Sequence, residues 1–128
     1  MTTRSTLGVA LGLALLLIPV ARADTPVTMP MEVDFLLGFV GRSGCDFNSN
    51  GTWYDSAAAQ AHLRSNYRYL VTIGRLSTTE DFIDRAATTS SFSGIDYAVR
   101  CDGGPILTSG QWLSDELAIF RTSISAAR

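Results

Sequence analysis

The run Cys45-Asp46-Phe47-Asn48-Ser49-Asn50-Gly51-Thr52-Trp53-Tyr54 sets the architecture of this chain. Cys45 to Asn48 alternates apolar and polar residues, the pattern of a short strand with one buried face. Asn48-Ser49-Asn50-Gly51 is a turn, because Asn-Gly accepts the positive φ that tight hairpins demand. Thr52-Trp53-Tyr54 returns as the second half of the hairpin. A strand partner stands far along the chain. Ile95 to Cys101 places Ile95, Tyr97 and Val99 on one face, and Asp102-Gly103-Gly104-Pro105 then turns the chain.

Helices fill the intervals. Asp24 to Met31, with Pro26 and Pro30, reads as an extended lead-in. Glu32 to Arg42 carries Phe35, Leu36, Phe39 and Val40 on one helix face, with Gly41 and Gly44 at its end. Asp55 caps a second helix, Ser56 to Val71, whose apolar stripe is Ala59, Leu63, Tyr67, Leu70 and Val71. Ser77-Thr78-Thr79-Glu80 fits a capping box, Ser77 capping and Glu80 reaching back. The third helix then runs to Ala87 and buries Phe82, Ile83 and Ala86. Thr88 to Gly94 is a Ser/Thr-rich loop. A last helix, Ser109 to Thr122, aligns Trp112, Leu113, Leu117 and Phe120, and the tail 123–128 frays. The expected fold is α+β: three to four helices packed on a two- to three-stranded antiparallel sheet, in one domain spanning 32–122.

The N-terminus supplies the compartment. Arg4 precedes an uncharged apolar run, Leu7 to Val20, and then Ala21-Arg22-Ala23, an A-x-A cleavage pattern. This reads as a signal peptide, residues 1–23, cut after Ala23. Its 14 apolar residues fall short of the roughly 20 that span a bilayer. Export implies an oxidising compartment, so Cys45 and Cys101 are expected to form one disulfide. Their spacing is neither a C-x-x-C redox motif nor a zinc pattern. The bond would join the two strands and close a loop of about 57 residues.

Composition excludes several chemistries. All 10 basic residues are Arg. Without Lys there is no P-loop, no Schiff-base catalysis and no pyridoxal enzyme. At 128 residues the chain is too short for a TIM barrel or a full dinucleotide-binding domain. The mean hydropathy of +0.17 owes much to the leader. Removing Arg4 and Arg22 leaves 8 basic residues against 12 acidic, a net charge of −4. Nucleic acid is not the expected partner.

Few residues can carry chemistry. His62 is the only histidine, so no histidine-based metal cluster is possible, and no cofactor is expected. A hydrolase or transferase would need His62 with a nearby Ser or Asp, yet no G-x-S-x-G elbow exists. Asp81 and Asp84 resemble an acid–base pair, but the first turn of a helix favours acids anyway, and Arg85 would pair with Asp81. Asn50-Gly51-Thr52 matches a glycosylation acceptor but is better read as the hairpin turn. Trp53 is an unexplained aromatic. The loop Ser90-Ser91-Phe92-Ser93-Gly94 has the hydroxyls and N–H groups of an anion-binding nest.

Taken together, Cys45-x-Phe47-x-x-Asn50-Gly51-x-x-Tyr54, Ala61-His62-Leu63, Thr79-Glu80-x-Phe82-Ile83 and Ser90-Ser91-x-Ser93-Gly94-x-x-Tyr97, with Trp112-Leu113, resemble the YfeK-like family of small exported bacterial proteins. The resemblance covers Glu32 to Phe120. It implies a Gram-negative periplasmic setting and supplies no catalytic role. The chain departs from the family pattern at Ser49 (Arg expected), Asn66 (Lys) and Asp96 (Pro). The first two changes remove positive charges, so if the family binds an anion through them, this chain is expected to bind it more weakly or to bind something else. The matching residues nominate a binding set: Asn50, Gly51, Tyr54, His62, Ser91, Ser93, Gly94 and Tyr97. These either converge on a ligand or lock hairpin, helix and loop together. The leading expectation is a non-enzymatic domain that binds an envelope protein or cell-wall component, with no stable membrane anchor. The alternatives are an enzyme working through His62 and a structural or stress-related envelope protein.

Overall fold

The computed structural model describes residues 27–127, with positions 8 and 12–14. Apart from those four positions, the expected signal peptide lies outside the described residues, as does its cleavage point. The elements run α1 (Met29–Arg42), β1 (Asp46–Ser49), β2 (Thr52–Tyr54), α2 (Ser56–Thr72), α3 (Thr79–Ala86), β3 (Ala98–Arg100), β4 (Leu107–Thr108) and α4 (Ser109–Ala126). The strands form one antiparallel sheet in the order β2-β1-β3-β4. The α+β class read from the sequence therefore holds, with a short fourth strand added to the sheet.

The hairpin forms because its turn residues accept left-handed backbone. Asn50 has φ 53° and Gly51 φ 84°, the two positive values of a mirror-image two-residue turn. The Asn48 Oδ1 accepts from the Gly51 N–H at 3.1 Å and ties the turn down. Register follows: Asn48 faces Trp53, and Phe47 faces Tyr54 on one side and Val99 on the other. Phe47 and Val99 are buried, so this face of the sheet meets the helices. The opposite face carries Asp46, Arg100 and Trp53. The Arg100 guanidinium lies 4.2 Å from the Trp53 ring centroid, a cation–π contact that accounts for this aromatic.

The helices bury their stripes against each other and against that sheet face. Val33, Leu36 and Val40 of α1 share the core with Leu63, Phe82, Val99 and Leu113. Trp112 packs on Phe39 at 4.6 Å and edge-on to Phe47 at 5.4 Å, joining α4, α1 and β1. Cys45 and Cys101 are disulfide-bonded with Cα atoms 4.3 Å apart, so the bond clamps the start of β1 to the end of β3. Ser56 Oγ donates to the Cys45 carbonyl at 2.8 Å and pins the start of α2 to the same junction.

Several boundaries differ from expectation for local reasons. The lead-in gives way to helix at Met29, because Pro30 occupies the first turn, where its missing N–H is not needed. The capping box sits one residue later: Thr78 caps α3 and Asp81 reaches back, accepting from the N–H groups of Ser77 and Thr78. That leaves Asp81 without an ion pair to Arg85 within 4 Å. Val71 is exposed, and it is Leu70 beside it that packs against the core. Ile95 is exposed too, because Gly94 at φ 70° turns the chain and the continuous strand begins only at Ala98. Residues 123–126 continue α4 where fraying was expected, with Ser123 Oγ bonded to the Phe120 carbonyl.

Candidate functional site

Tyr97 is held by its backbone. Its N–H donates to the Thr88 carbonyl at 2.8 Å, and its carbonyl accepts from the Ser109 N–H at 2.9 Å. The ring is thereby fixed where β3 begins. Its hydroxyl meets His62 Nε2 of α2 at 3.2 Å, with the two rings edge to face at 5.8 Å. The α2 helix presents His62 there because Asp55 Oδ1 caps it by accepting from the Ala58 N–H at 2.8 Å.

A neighbour braces the pair. Asn66 Nδ2 donates to the Ala86 carbonyl at 3.1 Å and lies 3.5 Å from His62 Nε2. The imidazole and the phenol can each donate or accept in their shared bond.

Around this pair is a concave cleft of about 200 Å³. Phe47, Asn48, Ser49 and Tyr54 of the hairpin form one wall, Ala58, Ala59, His62 and Leu63 of α2 the other, with Tyr97 and Ser109 also lining it. Tyr97 is buried, whereas His62 and Tyr54 stand exposed. No carboxylate or guanidinium is among the lining residues. The hydroxyl within reach of His62 is a phenol, and no acid in the cleft orients the imidazole as a hydrolytic triad requires. Among the described residues no group of three or more His, Cys, Asp and Glu is placed to hold a metal ion.

Six of the eight nominated residues fall into two groups. Tyr54, His62 and Tyr97 share the cleft. Asn50, Ser93 and Gly94 instead form a latch between the hairpin and the 90–95 loop. Asn50 Nδ2 donates to Ser90 Oγ at 3.2 Å, and Ser93 Oγ donates to Asn50 Oδ1. The Gly94 N–H closes the loop onto the Ser90 carbonyl at 2.8 Å. Gly51 serves the turn, and Ser91 is exposed. The loop hydroxyls and N–H groups that suggested a nest are thus partly engaged: Ser90 Oγ accepts from Asn50 and from the Phe92 N–H. Ser90, not Ser91, is the buried serine. Sequence reasoning also passed over Ala58, Asn48 and Ser109, small lining residues whose only signal is their proximity to His62 and Tyr97 in space.

A family of unknown function, DUF5329, matches residues 27–121. The chain belongs to DUF5329. The match runs from before α1 into α4, and takes in both cleft walls and the latch of this DUF5329 member. No curated protein and no solved structure matches the chain.

A second polar group of this DUF5329 chain is remote from the cleft. Arg121 of α4 grips buried Glu32 of α1 with two bonds, Nε to Oε2 at 2.7 Å and Nη2 to Oε1 at 2.9 Å. Its Nη1 reaches Glu80 of α3 at 2.5 Å, and Thr79 Oγ1 donates to Glu32 at 2.7 Å. The Arg121 hydrogen bonds hold both carboxyl groups below their ordinary range. The arrangement clasps three helices.

Proposed function

We propose that this chain is an exported periplasmic domain that binds a small cell-wall component in the cleft between the hairpin and α2, and does so without catalysing a reaction. One observation carries the reading: Tyr54, His62 and Tyr97, the last 35 positions beyond His62, line one concave cleft with aromatic and small apolar walls. A few convergent polar groups in a largely apolar depression is the usual make-up of a ligand site. The phenol beside His62 and the absence of a lining carboxylate favour binding over hydrolysis. Export is supported by the leader-like N-terminus, by the disulfide and by the likeness to the YfeK-like family.

The test is capture from periplasmic and cell-wall extract, read by mass spectrometry, comparing wild type with Ala58→Trp. Ala58 is an exposed lining residue of α2, so an indole there fills the cleft without entering the core. Wild type should retain a component that Ala58→Trp loses, and His62→Ala should retain less of it. Equal retention by all three refutes the proposal.

A further inference from the structure

Resting on the reading of the cleft as a binding site, we infer that its ligand is an uncharged single sugar ring that donates a hydroxyl or amide hydrogen to the Tyr97 phenol oxygen.

Three features select this chemistry. The first is size. The cleft is about 200 Å³. Drug-sized sites begin at roughly 300 Å³, whereas a cavity of about 150 Å³ takes a benzene ring. One ring therefore fits. The second is charge. None of the ten lining residues is Asp, Glu, Arg or Lys, so no permanently charged side chain replaces the water that a carboxylate or ammonium would lose. The third is hydrogen bonding. The Tyr97 hydroxyl and His62 Nε2 lie 3.2 Å apart. Whichever of them donates, the phenol oxygen keeps a lone pair that accepts from a ligand donor. The exposed Tyr54 ring at the rim supplies a flat surface for the C–H face of a pyranose. A hydroxylated ring with one apolar face meets all three conditions.

Calorimetry and amide-resolved NMR on the purified disulfide-bonded protein test this with N-acetylglucosamine, glucosamine, glucuronic acid and phenol as probes. N-acetylglucosamine should bind and move the resonances of Tyr54, His62 and Tyr97. The ammonium and carboxylate sugars should bind about tenfold more weakly or not at all. Tyr97→Phe, which keeps the ring and removes the oxygen, should weaken N-acetylglucosamine about tenfold. Tyr54→Ala, at an exposed position that does not threaten the core, should weaken the sugar about fivefold. Equal affinity for a charged sugar, or undiminished binding by Tyr97→Phe, overturns the inference. Phenol shifts at the cleft without any sugar shift overturn the sugar and leave the cleft standing. No shift from any probe removes both.

Discussion

Asn50 has both ends of its amide engaged, one with Ser90 and one with Ser93, while its backbone sits at φ 53°. Asn tolerates that conformation and Ala does not, so Asn50→Ala loses two bonds and adds strain, together about 2 kcal/mol. The latch should open locally: amide exchange across residues 90–95 should accelerate while α1 and α4 keep their protection. Glu32 is the other single-residue lever. Arg121→Ala leaves a buried carboxylate with Thr79 as its remaining partner. The cost should be about 2 kcal/mol by urea midpoint, reduced from the fully buried case because Arg121 is itself half-exposed. The pH dependence has a definite sign. Glu32 and Glu80 titrate below their ordinary 4.5 in the folded chain, Arg121 being the main cause. Their contribution is complete above the unfolded value and disappears as pH falls through the lowered folded values. Wild type should therefore lose stability below about pH 4.5, and Arg121→Ala should show a shallower acid slope.

The α3 cap shows what can and cannot be read at the level of one element. Ser77-x-x-Glu80 and Thr78-x-x-Asp81 are both capping-box spacings one residue apart, and only the backbone geometry chooses between them. Thr78→Ala should cost about 1 kcal/mol, whereas Ser77→Ala should stay within about 0.5 kcal/mol in the same melt. The hairpin was legible because Asn-Gly encodes its turn locally. The α2 cap was legible for the same reason, Asp55 being the residue its N–H groups require. Strand β4 was not legible. Two residues carry no periodicity, and Leu107–Thr108 become a strand only because β3 offers an edge to pair with. The cleft was half legible. Tyr54, His62 and Tyr97 announce themselves as polar aromatics in a chain with one histidine, whereas Ala58 and Ser109 acquire a role only through tertiary contact.

At the scale of the molecule, the disulfide and the helical core hold the cleft walls in register. β1 contributes one wall, and Cys45 at its start is bonded to Cys101 at the end of the strand beside it. With a sequence separation of 56, the bond restrains the unfolded chain by about 4 kcal/mol. Intact protein should show no reactive thiol, and reduction should lower the denaturant midpoint by a corresponding amount. Among the described residues no helix is long and apolar enough to cross a membrane. The proposed recognition site lies between the hairpin and α2, and not at the exposed Phe92 loop or the Trp53–Arg100 face. An amide shift map of the isotope-labelled protein during titration with soluble cell-wall fragments separates these surfaces. Perturbations should concentrate at residues 47–49, 54, 58–63, 97 and 109. Shifts centred on Phe92 or on Trp53 and Arg100, or no shifts at saturating fragment, would contradict this placement.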